Sequence, residues 1–173
     1  FQPARRPRPD PVVASSAEQA WRKGMVADKT SAVRAARAAW NESLKGDPGF
    51  APALVSLALS YYRTGEYREA EKRLATALLR DKDYPEAHYI MALVAQALGR
   101  GREAANHLMF LVRSGSRESS ARCLLGELAL ASGNTGEALE HLGQAASLDP
   151  RNLKARTLLA LAERTAGKLA EAQ

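Results

Sequence analysis

The residues best equipped for chemistry are few. The chain of 173 residues carries one cysteine, Cys123, and three histidines, His88, His107 and His141. His107 and His141 stand thirty-four positions apart. Two imidazoles could hold a metal ion, but a protein metal site normally draws further ligands from Asp, Glu or Cys. No metal pair is expected of the two histidines, which read as ordinary solvent-facing residues. His88 stands alone. A catalytic thiol needs a base to take its proton, and no histidine lies at helical spacing from Cys123, so the cysteine reads as a small, half-buried residue. No glycine-rich phosphate loop, zinc-protease helix or nucleophile elbow occurs. Carboxylates are plentiful, but a face of glutamates is ordinarily a solvated face. The expectation is a chain that is not an enzyme, binds no metal and uses no cofactor.

What remains is chemistry by contact, and the chain is patterned for it. The stretch "GEYREAEKRLATALLRDKDY" (65–84) returns as "GRGREAANHLMFLVRSGSRE" (99–118) and as "GNTGEALEHLGQAASLDPRN" (133–152), at a constant interval of thirty-four positions. Units of that length begin at positions 17, 51, 85, 119 and 153 without an insertion. Position twenty of every unit is Ala: Ala36, Ala70, Ala104, Ala138 and Ala172. Position eight is Gly or Ala: Gly24, Ala58, Ala92, Gly126 and Ala160. Position twenty-four is large and apolar: Trp40, Leu74, Leu108 and Leu142. Position fifteen is Gly65, Gly99, Gly133 and Gly167, but Ser31 in the first unit.

These spacings predict two amphipathic helices per unit. Apolar residues at positions seven, eight and eleven share one helical face, as do those at twenty, twenty-four and twenty-seven. The glycine at fifteen allows the backbone to turn between them. Small residues at eight and twenty let the helix axes approach, and the large residue at twenty-four fills the space beside them. A lone hairpin cannot bury both faces, so each unit must stack on a neighbour. β-branched residues are too sparse for several strands.

The pattern resembles the tetratricopeptide repeat family over residues 17–173. The family's helix-ending Pro stands at Pro48 and Pro150, Gly115 can stop the helix in the third unit, and Pro85 is displaced by three in the second. The family's position-four Trp is replaced by Ala20, Leu54, His88, Arg122 and Arg156, and its position-eleven Tyr survives as Tyr61. The resemblance implies an all-α fold: an α-solenoid, a right-handed superhelix of about five stacked helix-turn-helix units, the last incomplete. Lys23 and Ser31 give the first unit the character of a polar cap, and Gly167 places the last residues early in a second helix.

The resemblance also implies a working surface. Positions two, five, nine, twelve and thirteen of such units point into a concave groove. The partner-binding residues implied here are Val55, Leu59, Tyr62, Arg63, Tyr89, Leu93, Gln96, Cys123 and Glu127. A groove that clamps a C-terminal carboxylate would place Lys, Arg and Asn at positions five and nine, and those positions hold none. The expected function is a protein–protein interaction scaffold that binds a partner peptide or helix in an apolar, aromatic groove. The alternatives are a docking or spacer array within a larger enzyme or sensor, and a scaffold that pairs with a second copy through its last unit.

Composition narrows the field further. The net charge of +6 is spread along the chain with no basic stripe, so a nucleic-acid partner is not expected. The longest apolar stretches are too short to span a bilayer, so membrane insertion is not expected either. One cysteine allows no internal disulfide, which fits a reducing compartment, and a cytoplasmic location is the expectation. Residues 1–16 hold four of the eight prolines and read as an extended linker. No starting Met and no signal-peptide pattern is present, so the chain reads as a piece of a longer protein.

Overall fold

The computed structural model describes the backbone of residues 11–171 and the side chains of residues 16–167. Every regular element among the described residues is an α-helix. The described residues form two compact units, divided between Ala87 and His88. The first contains α1 (Pro11–Lys29), α2 (Val33–Gly46), α3 (Ala51–Arg63) and α4 (Tyr67–Arg80). The second contains α5 (Pro85–Ala97, which starts at the boundary), α6 (Gly101–Ser114), α7 (Glu118–Ala131), α8 (Thr135–Leu148) and α9 (Leu153–Glu171). The helices pair as hairpins, and the fold is an all-α stack of helix-turn-helix repeats. The helices that open the second to fifth repeats begin within one residue of the positions the period predicts.

The turn within each hairpin is built from one backbone pattern. Gly65, Gly99 and Gly133 take left-handed φ values of 79°, 73° and 76°. The amide of the next residue reaches back to a carbonyl five residues earlier: Glu66 to Tyr61, Arg100 to Ala95, and Asn134 to Ala129, at 2.8–2.9 Å. This bond satisfies carbonyls that the helix end would leave unpaired. The first hairpin keeps the geometry with Ser31 at φ 58°, and Ala32 N–H donates to the Ala27 carbonyl at 3.0 Å. A side chain in that region costs about 1 kcal/mol, partly offset by the greater freedom glycine has when unfolded. Ser31→Gly is therefore expected to stabilise the chain by about 0.5–1 kcal/mol, read as a higher urea midpoint. An unchanged or lower midpoint would show that the turn is not strained.

The second helix of each repeat ends by a different device. Asp47, Asp81 and Asp149 are extended C-caps, and their Oδ1 atoms accept from the backbone amides of Gly49, Asp83 and Arg151 at 2.9–3.1 Å. These are Asx turns. Asp81 ends α4 with no proline nearby, and Pro85 serves instead as the first residue of α5. In the third repeat Gly115, at φ 67°, takes the place of the aspartate, as expected.

Two expectations are corrected. The expected extended linker reaches residue 16, but α1 begins at Pro11. Proline at the first helical position loses no hydrogen bond and has a suitable φ, and no further proline follows until Pro48. Residues 1–10 lie outside the described residues. At the other end α9 runs unbroken through Gly167 to Glu171, so the expected turn to a second helix is absent there. Gly167 adopts no left-handed φ; a glycine permits a turn but does not impose one.

The core repeats with the sequence. Ala36, Ala70, Ala104 and Ala138 are fully buried, as are Leu74 and Leu142, with Trp40 and Leu108 nearly so. The small residue at position eight is a notch for the large one at twenty-four. A Cβ on Gly24 would lie 2.3 Å from Trp40 Nε1, and one on Gly126 would lie 2.4 Å from Leu142 Cγ.

Candidate partner-binding faces

The first helix of each repeat carries the residues implied for binding. In the first compact unit these helices are α1 and α3. Trp21 Nε1 donates to Ser56 Oγ at 3.0 Å, and the Ser56 hydroxyl lies 3.8 Å from Met25 Sδ. Trp21 also meets Phe50 edge to face at 6.2 Å. Arg63 pairs with Asp28 at 3.2 Å. Tyr62 is half-buried against Tyr67, with ring centres 5.8 Å apart. Leu59 is half-buried, whereas Val55 is 8% exposed and lies mostly within the core.

In the second unit the corresponding helices are α5, α7 and α9. Tyr89 and Leu93 are half-buried and pack on the cluster around Ala92, Leu108 and Leu124, and Gln96 is half-buried further along α5. The Arg117 guanidinium lies over the Tyr89 ring at 5.0 Å. Glu127 binds Lys154 of α9 at 2.6 Å. Burial works against the charge on Lys154, but the Glu127 carboxylate outweighs it and holds the ammonium above its usual value. Cys123 is 3% exposed and packs with Leu142 and Ala155, so it belongs to the core and presents no surface to a ligand. Burial pushes its thiol up, away from the thiolate that a nucleophile requires.

The histidines also depart from expectation. His141 is not solvent-facing: its side chain is 12% exposed, its Nδ1 is buried with no hydrogen-bond partner among the described residues, and its Nε2 lies 3.8 Å from Glu137. His88 is not alone: its Nδ1 lies 2.9 Å from that of His107. Burial, then the neighbouring His88, hold His107 below the ordinary histidine value.

Three cations escaped the sequence reading. Lys154 stands at position two, a groove position under the resemblance, so its signal was present. Arg117 precedes α7 in the left-handed region at φ 53°, and nothing in its sequence context marks it. Arg37 of α2 ties down the turn between α3 and α4. It donates to Ser60 Oγ at 2.9 Å, to the Ser60 carbonyl at 3.0 Å and to Thr64 Oγ1 at 2.6 Å. It also binds Glu66 at 2.9 Å and lies over the Tyr61 ring at 4.1 Å. Hydrogen bonds from Thr64 and Arg37 hold the Glu66 carboxyl below its usual range.

No helix among the described residues is long and apolar enough to cross a membrane. On α9, Ala160 is exposed where Ala58 and Ala92 are buried, and Leu153 and Leu161 are 71% and 39% exposed.

Comparison with known proteins agrees with this architecture. Sequence profiles described as tetratricopeptide repeat match residues 30–97, 89–142 and 123–172. No curated protein sequence matches the chain. Among solved structures the chain is similar to the MamA protein, at 22% identity and a TM-score of 0.76, over 91% of this chain and 86% of that one. It is similar to PilF of Pseudomonas aeruginosa at 17% identity and a TM-score of 0.78, over 94% and 78% of the two chains. It is similar to YrrB at 19% identity and a TM-score of 0.70, over 87% and 78%. At these identities the likeness is one of fold. Repeats of this type generally serve as protein–protein interaction scaffolds and are typically non-catalytic. With the period, the hairpins and the profiles in agreement, the chain belongs to the tetratricopeptide repeat family.

Proposed function

We propose that the chain holds a segment of a partner protein against the first-helix faces of its repeats, by apolar and aromatic contact and not by a carboxylate clamp. The observation that carries this reading is the pair of half-buried tyrosines, Tyr62 and Tyr89, each beside a half-buried leucine, Leu59 and Leu93. Tyrosine offers a large apolar area with a polar tip, which suits a recognition surface. Arg63 and Lys154 each already hold a carboxylate of the chain itself. A partner's carboxylate would have to displace Asp28 or Glu127, so these cations are poorly placed as a clamp. YrrB, one of the similar structures, is described as having an unusual peptide-binding site, and peptide recognition is a use to which this fold is put.

A displayed peptide library selected on the full chain supplies the probe. Binding of a selected peptide is expected near micromolar, about −8 kcal/mol, with weak dependence on salt because buried apolar area is not screened. Tyr62→Ala with Tyr89→Ala is expected to weaken it at least tenfold, about 1.4 kcal/mol, while helical circular dichroism is retained. Retained affinity in that variant, or loss of binding on moderate added salt, would move the site elsewhere. The exposed Ala160, Leu153 and Leu161 favour self-association through α9 as the second reading, for which light scattering would show mass rising with concentration.

A further inference from the structure

α5 and α6 meet through two imidazoles. His88, in the first turn of α5, and His107, midway along α6, bring their Nδ1 atoms to 2.9 Å. Their ring centres are 5.1 Å apart. Those two lengths place both nitrogens close to the line between the ring centres, so each nitrogen points at the other ring and not at a shared third point. A chelated metal needs both lone pairs to converge on it, and no group of three or more His, Cys, Asp or Glu that could hold one occurs among the described residues. A single proton fits the gap, with an N–H on one ring donating to the bare nitrogen of the other.

We propose that His88 and His107 share one proton and form an acid-sensitive latch between α5 and α6. A first added proton can settle on the outer nitrogen of the donating ring and leave the bond between the rings intact. A second must take the accepting nitrogen. It removes the lone pair that closes the latch and sets two cations face to face in a partly buried place. His88 cannot swing clear without losing its stack on Phe110, whose ring lies 4.0 Å away at 21°.

Charged side chains stand on all three helices of this cluster, and of these Glu103 and His88 act on His107. α5 supplies Glu86 and His88. α6 supplies Glu103, four residues before His107 and 3.4 Å from Arg100. α7 and the residue before it supply Arg117, Glu118 and Arg122. Glu118 and Arg122 hold each other at 2.8 Å, and Arg117 lies over Tyr89. Glu103 favours a protonated His107, but burial and His88 prevail against it. The unfolded chain takes up protons as pH falls through about 6.5, whereas the folded pair resists the second. Stability present above that pH is therefore lost below it.

The test uses the full chain in a His141→Gln background, which leaves His88 and His107 as the only imidazoles of the sequence. The urea midpoint is expected to fall from about pH 7.5 to about pH 5.5, and to move much less when His107→Gln is added. Imidazole NMR reads the folded protein directly and does not depend on that variant folding. His107 should titrate below an ordinary histidine, and its titration should move upward in His88→Gln. A His107 titration unmoved by His88→Gln, or the same acid loss of stability with and without His107, would overturn the latch.

Discussion

Leu142→Ala is expected to cost about 2–5 kcal/mol, in the upper part of that range. Leu142 is fully buried, and its Cγ occupies the notch above Gly126 where a Cβ would come within 2.4 Å. Truncation therefore opens a hole against a residue with no side chain to refill it. Its neighbours are fixed: Ala138 and Ala145 on the same helix and Ala155 of α9 are all fully buried, and alanine has no χ angle with which to relax inward. The cost is read from urea denaturation followed by circular dichroism. A loss well below that range would show that the notch collapses freely and that position twenty-four is not the seat of the repeat.

That seat is legible in the sequence because it is periodic. Ala104 and Leu108 carry the signal only in company with Ala36, Ala70, Ala138, Trp40, Leu74 and Leu142; four copies of one spacing single out the contact that one copy cannot. The turns were legible for the same reason at Gly65, Gly99 and Gly133. Gly167 shows the limit of that inference. A glycine in a helix forgoes about 1 kcal/mol relative to alanine but does not break it, and α9 continues through it. Composition misled at Pro11, where a residue counted as a helix breaker stands at the one helical position that tolerates it.

The faces were legible less well, because side-chain contacts between repeat positions have no period of their own. Cys123 shares position five with Tyr89, yet its small side chain sinks among Leu142 and Ala155 while Tyr89 stays half-buried. His88 and His107 stand nineteen residues apart at positions four and twenty-three, and only the antiparallel hairpin brings them together. Arg37 looks like any surface arginine of α2 until α3 folds beneath it and presents Ser60, Thr64 and Tyr61 to one guanidinium. Each of these depends on which residue occupies a position in one copy, and averaging over copies removes that information.

Gly24→Ala is expected to destabilise the chain by about 1–3 kcal/mol, although the same change in an open helix does the reverse. The added methyl would lie 2.3 Å from Trp40 Nε1, 2.4 Å from Cδ1 and 2.9 Å from Cε2. The indole is rigid and 2% exposed, so it cannot bend away as the end of a flexible side chain could. Against this stands the gain of about 1 kcal/mol from alanine's better helix propensity, which the overlap exceeds. Gly143→Ala in α8 isolates that gain, since a methyl there meets nothing within 4 Å, and it should stabilise by about 0.5–1 kcal/mol. The remedy for Gly24→Ala is written in the next repeat, where Ala58 and Leu74 occupy the same two positions and both are fully buried. Trp40→Leu removes the obstructing ring and with it an indole N–H that is buried with no hydrogen-bond partner among the described residues. In the Trp40→Leu background Gly24→Ala should therefore change sign and become stabilising. The double variant should be more stable than the sum of the single changes by more than the cost of Gly24→Ala alone, the non-additivity expected of residues in contact. Additive costs would mean that Gly24 and Trp40 do not form the notch and knob that join α1 to α2.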